Sequence, residues 1–135
     1  MPKKDNAVIH FDEVGVRMEI LKIDSLVEFS SIKYVKVPVP NTNGLVRLLC
    51  FESGQSVALH KHPEGDEIFC VLDGRAEFTV GKRTARIEAG SFVKAAAGTY
   101  HGWKNSSERL ILISVLIPPS SYELAEQAAK MDLFR

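Results

Sequence analysis

The chain has 135 residues, the size of one ordinary domain that can bury a hydrophobic core without disulfides or structural zinc. Its 17 Lys and Arg side chains balance 17 Asp and Glu, so it lacks the single-sign field that gathers nucleic acid or anionic membrane, and neither is an expected partner. The near-zero net charge is compatible with self-association as a dimer.

The opening segment Met1–Asn6 carries Lys3 and Lys4 but no apolar run of signal-peptide length follows, and no stretch of about 18 apolar residues occurs anywhere. A soluble, cytoplasmic chain is expected. Cys50 and Cys70 both sit in apolar runs and read as packing residues of an intracellular protein. His10 falls in an edge segment and reads as surface.

Short apolar or alternating stretches, punctuated by Gly, Pro, Asn and Ser, then predict an all-β sandwich or barrel. In chain order, strands are expected over 16–23, 32–37, 45–51, 56–62, 67–72, 75–80, 83–87, 92–95, 101–105 and 110–117. One helical turn, capped by Asp24, is expected over 24–29. Val80-Gly81-Lys82-Arg83 and Asp73-Gly74 each supply a glycine where a tight hairpin needs positive φ, so the strands they join should pair antiparallel. Lys82, Arg83 and Arg86, around the first of these, read as a solvated face. Beyond Pro118-Pro119 the pattern changes. Ser120 and Glu123 form a capping box, and Tyr122, Ala125, Ala128, Ala129 and Leu133 recur at helical spacing, which predicts a short C-terminal amphipathic helix. With no repeat or linker, residues 1–135 read as a single domain.

Four residues of metal-ligand type stand out within this frame. His60 and His62 are two apart, so on a strand their Cα atoms lie about 6.6 Å apart on one side, within reach of a single ion. Pro63-Glu64-Gly65-Asp66 is a turn, after which Glu67 can return opposite the histidines. His101, far along the chain, would close the site across a barrel. By the same alternation Phe69 and Val71 share a face with Glu67, Ala58 with the two histidines, and Trp103 with His101, whereas Cys70 and Tyr100 point away. Phe69 and Trp103 read equally well as core or as substrate-contacting residues, and Arg47 as a cavity residue that could bind an anionic substrate.

The segment Gly54-(five)-His60-x-His62-(four)-Glu67-(six)-Gly74 resembles the first cupin motif at every defined position, and Gly90-(five)-Ala96-x-Gly98-xx-His101-xxx-Asn105 resembles the second. The one departure is Ala96, where the family pattern has proline, and it bears on turn rigidity, not on the ligand set. The resemblance, carried by motifs at 54–74 and 90–105, implies a small jelly-roll β-barrel with His60, His62, Glu67 and His101 as ligands to one divalent metal ion. It gives Gly54, Gly74, Gly90 and Gly98 purely structural roles. It also implies a homodimer that exchanges or pairs N-terminal strands.

Three imidazoles and a carboxylate leave two positions open on an octahedral ion, the mark of a reactive site and not of a closed, thiolate-rich structural one. Iron, manganese, nickel, cobalt, copper and zinc all suit such donors. Proteins with this resemblance include dioxygenases of flavonol-like or enediol compounds, oxalate-degrading enzymes, sugar isomerases and lyases. The foremost expectation is a metal-dependent oxidoreductase of dioxygenase type acting on a small oxygenated molecule. A metal-dependent isomerase, decarboxylase or lyase comes second, and a non-catalytic binding or sensing module third. The presence of Glu67 sets the site apart from cysteine dioxygenases. In flavonol-cleaving relatives the matching glutamate leaves the ion and acts as a base, which makes Glu67 the candidate catalytic residue.

Overall fold

The computed structural model describes residues 7–11, 17–40, 45–118 and 125. Its elements are β1 (Ala7–Phe11), β2 (Arg17–Leu21), α1 (Ile23–Leu26), β3 (Val35–Pro38), β4 (Leu45–Glu52), β5 (Ser56–His60), β6 (Asp66–Asp73), β7 (Arg75–Val80), β8 (Arg83–Glu88), β9 (Phe92–Ala95), β10 (His101–Asn105) and β11 (Arg109–Ile117). β1 and β2 form a ribbon. The others form a five-stranded sheet, β3-β4-β11-β6-β9, and a four-stranded sheet, β5-β10-β7-β8. The pairings are antiparallel. The predicted C-terminal helix lies outside the described residues except for Ala125, which is helical. No helix among the described residues is long and apolar enough to cross a membrane, which does not bear on strands.

Side-chain alternation builds the interior. Along β11, Leu110, Leu112, Ser114 and Leu116 are buried, while Ile111, Ile113 and Val115 face the other side. The main core takes Leu49, Phe51, Phe69, Val71, Leu110 and Leu112 from the five-stranded sheet and Ala76, Phe78 and Trp103 from the four-stranded one. The two sheets therefore close on each other as a jelly-roll barrel. A second cluster, Leu26, Leu48 and Cys50 with Val27, Phe29 and Val37, covers the outer face of the five-stranded sheet. Covered on both faces, β4 reads as a nearly continuous apolar run. Burial pushes the Cys50 thiol up from its ordinary value, in keeping with a packing role. Lys82, Arg83 and Arg86 are exposed, as expected.

Several expectations are corrected. The helical turn runs Ile23–Leu26 with Lys22 at its cap, and Asp24 lies inside the first turn without a capping bond. The Ser25 hydroxyl closes the turn early by bonding the Lys22 carbonyl. β3 begins at Val35 instead of Ile32, because Ser30 Oγ accepts the Ile32 N–H and bends the chain, leaving Ile32 fully outside the fold. The Gly81 hairpin forms, with Val80 paired to Arg83. The Gly74 hairpin does not. β6 and β7 lie in different sheets, and Gly74 turns the corner between them at φ 86°, so close to Arg109 that an added Cβ would lie 2.0 Å from its carbonyl oxygen. His10 falls on β1, and its side chain lies outside the described residues.

β5 ends at His60, two residues sooner than expected, and it is bulged. Opposite β10, Trp103 pairs with Val57 and His101 with His60, so one extra residue is taken up on β5 between these pairs. The extra residue cancels strict alternation: Val57 packs on the core, Ala58 is exposed, and His60 turns toward His101. Ala58 therefore does not line the interior with the histidines. The bulge lies directly on Gly102, where an added Cβ would meet Val57 O at 2.7 Å, Ala58 C at 3.0 Å and Leu59 N at 3.0 Å. All three are backbone atoms and cannot move aside alone. Gly102→Ala is expected to destabilise the chain by about 2 kcal/mol in urea unfolding, through forced separation of β5 and β10.

Candidate metal centre

Strand direction brings the four candidate ligands to one end of the barrel: Glu67 opens β6, His101 opens β10, His60 closes β5 and His62 follows it. Each offers one ligand atom, and these atoms all lie within 4.8 Å of one another. The imidazole centroids are 4.4 Å (His60 and His101), 5.0 Å (His60 and His62) and 5.3 Å (His62 and His101) apart. His62 stands in the loop beyond β5, where its carbonyl accepts the Gly98 N–H at 2.9 Å, so its placement comes from the second motif and not from strand alternation. The same turn is closed by Thr99 N–H to Ala96 O at 3.0 Å and by Ala97 N–H to Asp66 Oδ1 at 2.8 Å. These bonds fix a turn that has alanine in place of proline. Gly54, Gly74, Gly90 and Gly98 all hold positive φ, as structural glycines.

Hydrogen bonding sets the tautomers. The Nδ1–H of His60 donates to Ala58 O at 2.9 Å, and that of His101 donates to Thr99 O at 2.9 Å. A carbonyl only accepts, so each neutral ring presents its lone pair at Nε2. Burial is the main reason that the His60 imidazolium is disfavoured, with His101 and His62 nearby adding repulsion. Glu67 Oε1 lies 3.0 Å from His101 Nε2 and 3.1 Å from His62 Nε2. At these distances a proton or a cation must lie between each nitrogen and the carboxylate oxygen, and a metal ion in that place would be shared by all of them. The donor set therefore fits a shared metal ion.

Glu67 is 1% exposed. Burial works against its charge, but hydrogen bonds from His101, His62 and Ser114, with the Arg47 guanidinium beside it, outweigh that cost and hold the carboxyl well below the usual glutamate range. Arg47 Nη2 donates to Oε2 at 3.1 Å, and Ser114 Oγ donates to the same oxygen. Arg47 thus enters the interior, where the anion it meets is Glu67. Ser114 was not singled out from the sequence, although a lone polar residue at an inward position of the run Leu110–Ile117 is the signal that finds it. Phe69 and Trp103 belong to the main core, with ring centroids 5.7 Å from His101 and 6.5 Å from His60, respectively. Tyr100 is exposed beneath Lys61 and Cys70 faces away from the interior, both as expected.

Because folding lowers the proton affinity of Glu67, its charge stabilises the metal-free chain above the ordinary glutamate value of 4.5, and this contribution is lost as pH falls toward the depressed folded value. The stability gap between the wild-type chain and Glu67→Gln, read by urea unfolding after chelator treatment, is expected to be widest near pH ~7 and to shrink below about pH 4.5.

Comparison with known proteins agrees with this geometry. The family model for the cupin domain matches residues 47–116. An uncharacterized protein of Streptomyces coelicolor is 35% identical over 79 residues, which cover 58% of this chain and 74% of the relative. Among solved structures, TT1209 from Thermus thermophilus is similar at TM-score 0.72 and 30% identity, over 76% of this chain and 100% of its own. A conserved Klebsiella pneumoniae protein with a double-stranded β-helix domain is similar at TM-score 0.68 and 31% identity, over 76% of this chain and 90% of its own. The matched family segment runs from Arg47 to Leu116, more than half of the chain, and takes in every strand that borders the histidine and glutamate cluster, so this protein belongs to the cupin family.

Proposed function

We propose that this protein is a metal-dependent cupin enzyme in which His60, His62, Glu67 and His101 hold one divalent ion, and that it acts as an oxidoreductase of dioxygenase type on a small oxygenated molecule. The observation that carries this reading is the convergence of three imidazoles and one carboxylate within 4.8 Å. Four donors fall short of the six that an octahedral ion takes, which leaves room for a substrate. When bound, a divalent metal supplies Lewis acidity toward oxygen ligands and, where it is redox-active, one-electron chemistry with O₂. The chain's own residues then bind and orient. His60 and His101 are kept in the ligating tautomer by Ala58 and Thr99, while Phe69 and Trp103 flank His101 and His60 from the core side. Arg47 Nε and Trp103 Nε1 are buried with no hydrogen-bond partner among the described residues, and an oxygen-rich ligand or water would satisfy such donors.

A second reading, an isomerase, decarboxylase or lyase, is favoured by Arg47. Its guanidinium cancels the charge of Glu67 and leaves the ion with its full divalent charge toward substrate, which suits Lewis-acid chemistry.

Protein purified without added metal is expected to carry about one divalent transition metal per chain by elemental analysis, and His60→Ala and His101→Ala are expected to lose most of it. A metal-free wild-type chain, or an undiminished content in both variants, would overturn the metal reading. Oxygen uptake with polyphenol or enediol compounds supports the dioxygenase. A redox-inert ion together with isomerisation or decarboxylation, and no oxygen uptake, supports the second reading instead.

A further inference from the structure

The two oxygens of Glu67 face different partners. Oε1 lies toward His62 and His101, at 3.1 Å and 3.0 Å, while Oε2 accepts from Ser114 Oγ and from Arg47 Nη2. We propose that Ser114 and Arg47 are positioning residues that lock Glu67 as a fixed, single-oxygen ligand, so that the carboxylate does not swing off the ion to act as a mobile base. This inference rests on the metal reading above.

Neither residue is asked for by packing. Ser114 is fully buried between Leu112 and Leu116 on the inner face of β11, where an aliphatic side chain would fill the space without needing a partner. Arg47 occupies the corresponding face of β4, between the buried Leu45 and Leu49, with only 16% of its side chain exposed. Register explains why both reach one oxygen. Ser114 is paired with Arg47 on one side and with Phe69 on the other, which places it diagonal to Glu67 across the β11–β6 ladder. Two donors from two strands thus converge on Oε2. Rotation of the carboxylate away from the cluster would break both bonds and leave a largely buried guanidinium and a buried hydroxyl unsatisfied. Partners of this kind orient a ligating group and tune its hold on the metal.

The test is cobalt(II) binding to the full chain by chelator competition, with the visible spectrum of the bound ion as a second readout. Ser114→Ala and Arg47→Met are each expected to weaken cobalt affinity by about 10- to 100-fold and to alter the spectrum. Arg47→Lys, which keeps the charge but not the planar fork, is expected to recover part of the loss. If Ser114→Ala does not fold, Ser114→Cys, with similar volume and a weaker donor, carries the same comparison. In a Glu67→Gln background the Ser114→Ala effect is expected to shrink to within about twofold, because it acts through the carboxylate. Leu112→Ala, on the same strand and face, is expected to lower stability with cobalt affinity unchanged. Folded Ser114 and Arg47 variants that bind cobalt within about twofold of wild type would overturn the lock alone, as would a Ser114→Ala effect undiminished in the Glu67→Gln background. A wild-type chain that takes up no cobalt would overturn the metal reading together with the lock.

Discussion

A carboxylate buried inside an apolar barrel is the constraint on which the rest of this structure depends. Removing a charge of that kind from water costs several kcal/mol even after relaxation, on the order of what a whole domain has in reserve. Glu67 is 1% exposed and ionised, so each of its lone pairs must be met. The groups that meet them come from four places: Arg47 on β4, Ser114 on β11, His101 on β10 and His62 in the loop after β5. A slip of one residue in β11 would point Ser114 outward and Ile113 inward, which would remove a donor and disturb both clusters at once. The electrostatics of the centre and the register of the five-stranded sheet are therefore one requirement.

The histidines arrive by less regular means. A straight β5 would carry His60 and Ala58 on one face, but the bulge opposite His101 and Trp103 uncouples them and delivers His60 to the interior while Ala58 stays outside. Gly102 permits this by lacking a side chain where the bulge crosses β10. His62 is held by a turn from the second motif, through the Gly98 N–H. The two motifs are thus joined at this turn by a backbone bond, and Asp66 adds a second tie there through the Ala97 N–H.

At the opposite end of the barrel, neutral polar groups tie the strands and turns together. Asn105 donates from Nδ2 to the Glu52 carbonyl at 2.9 Å, while its Oδ1 accepts from Ser107, whose hydroxyl donates to the Arg109 carbonyl. One end of the barrel is tied by hydrogen bonds and the other gathers donors that fit a cation. A packed core with Phe69, Phe78 and Trp103 ring against ring lies between them. This arrangement gives the cluster a rigid support, which a site that must hold several ligands in fixed geometry requires.

The amino-acid sequence by itself determined the all-β class, most strand positions, the Gly81 hairpin and the four residues of the cluster, because alternation, turn glycines and motif spacing are local properties that survive without coordinates. It also placed Phe69 and Trp103 on the inner face. Only the tertiary structure decided that Gly74 turns a corner between sheets, that Ala58 lies outside, and that Arg47 and Ser114 converge on Glu67. The reason is the same in each case. Whether two consecutive strands pair, where an extra residue is absorbed, and which side chains meet across a ladder all depend on register between segments distant in the chain, and register is set by packing and by the need to satisfy a buried charge.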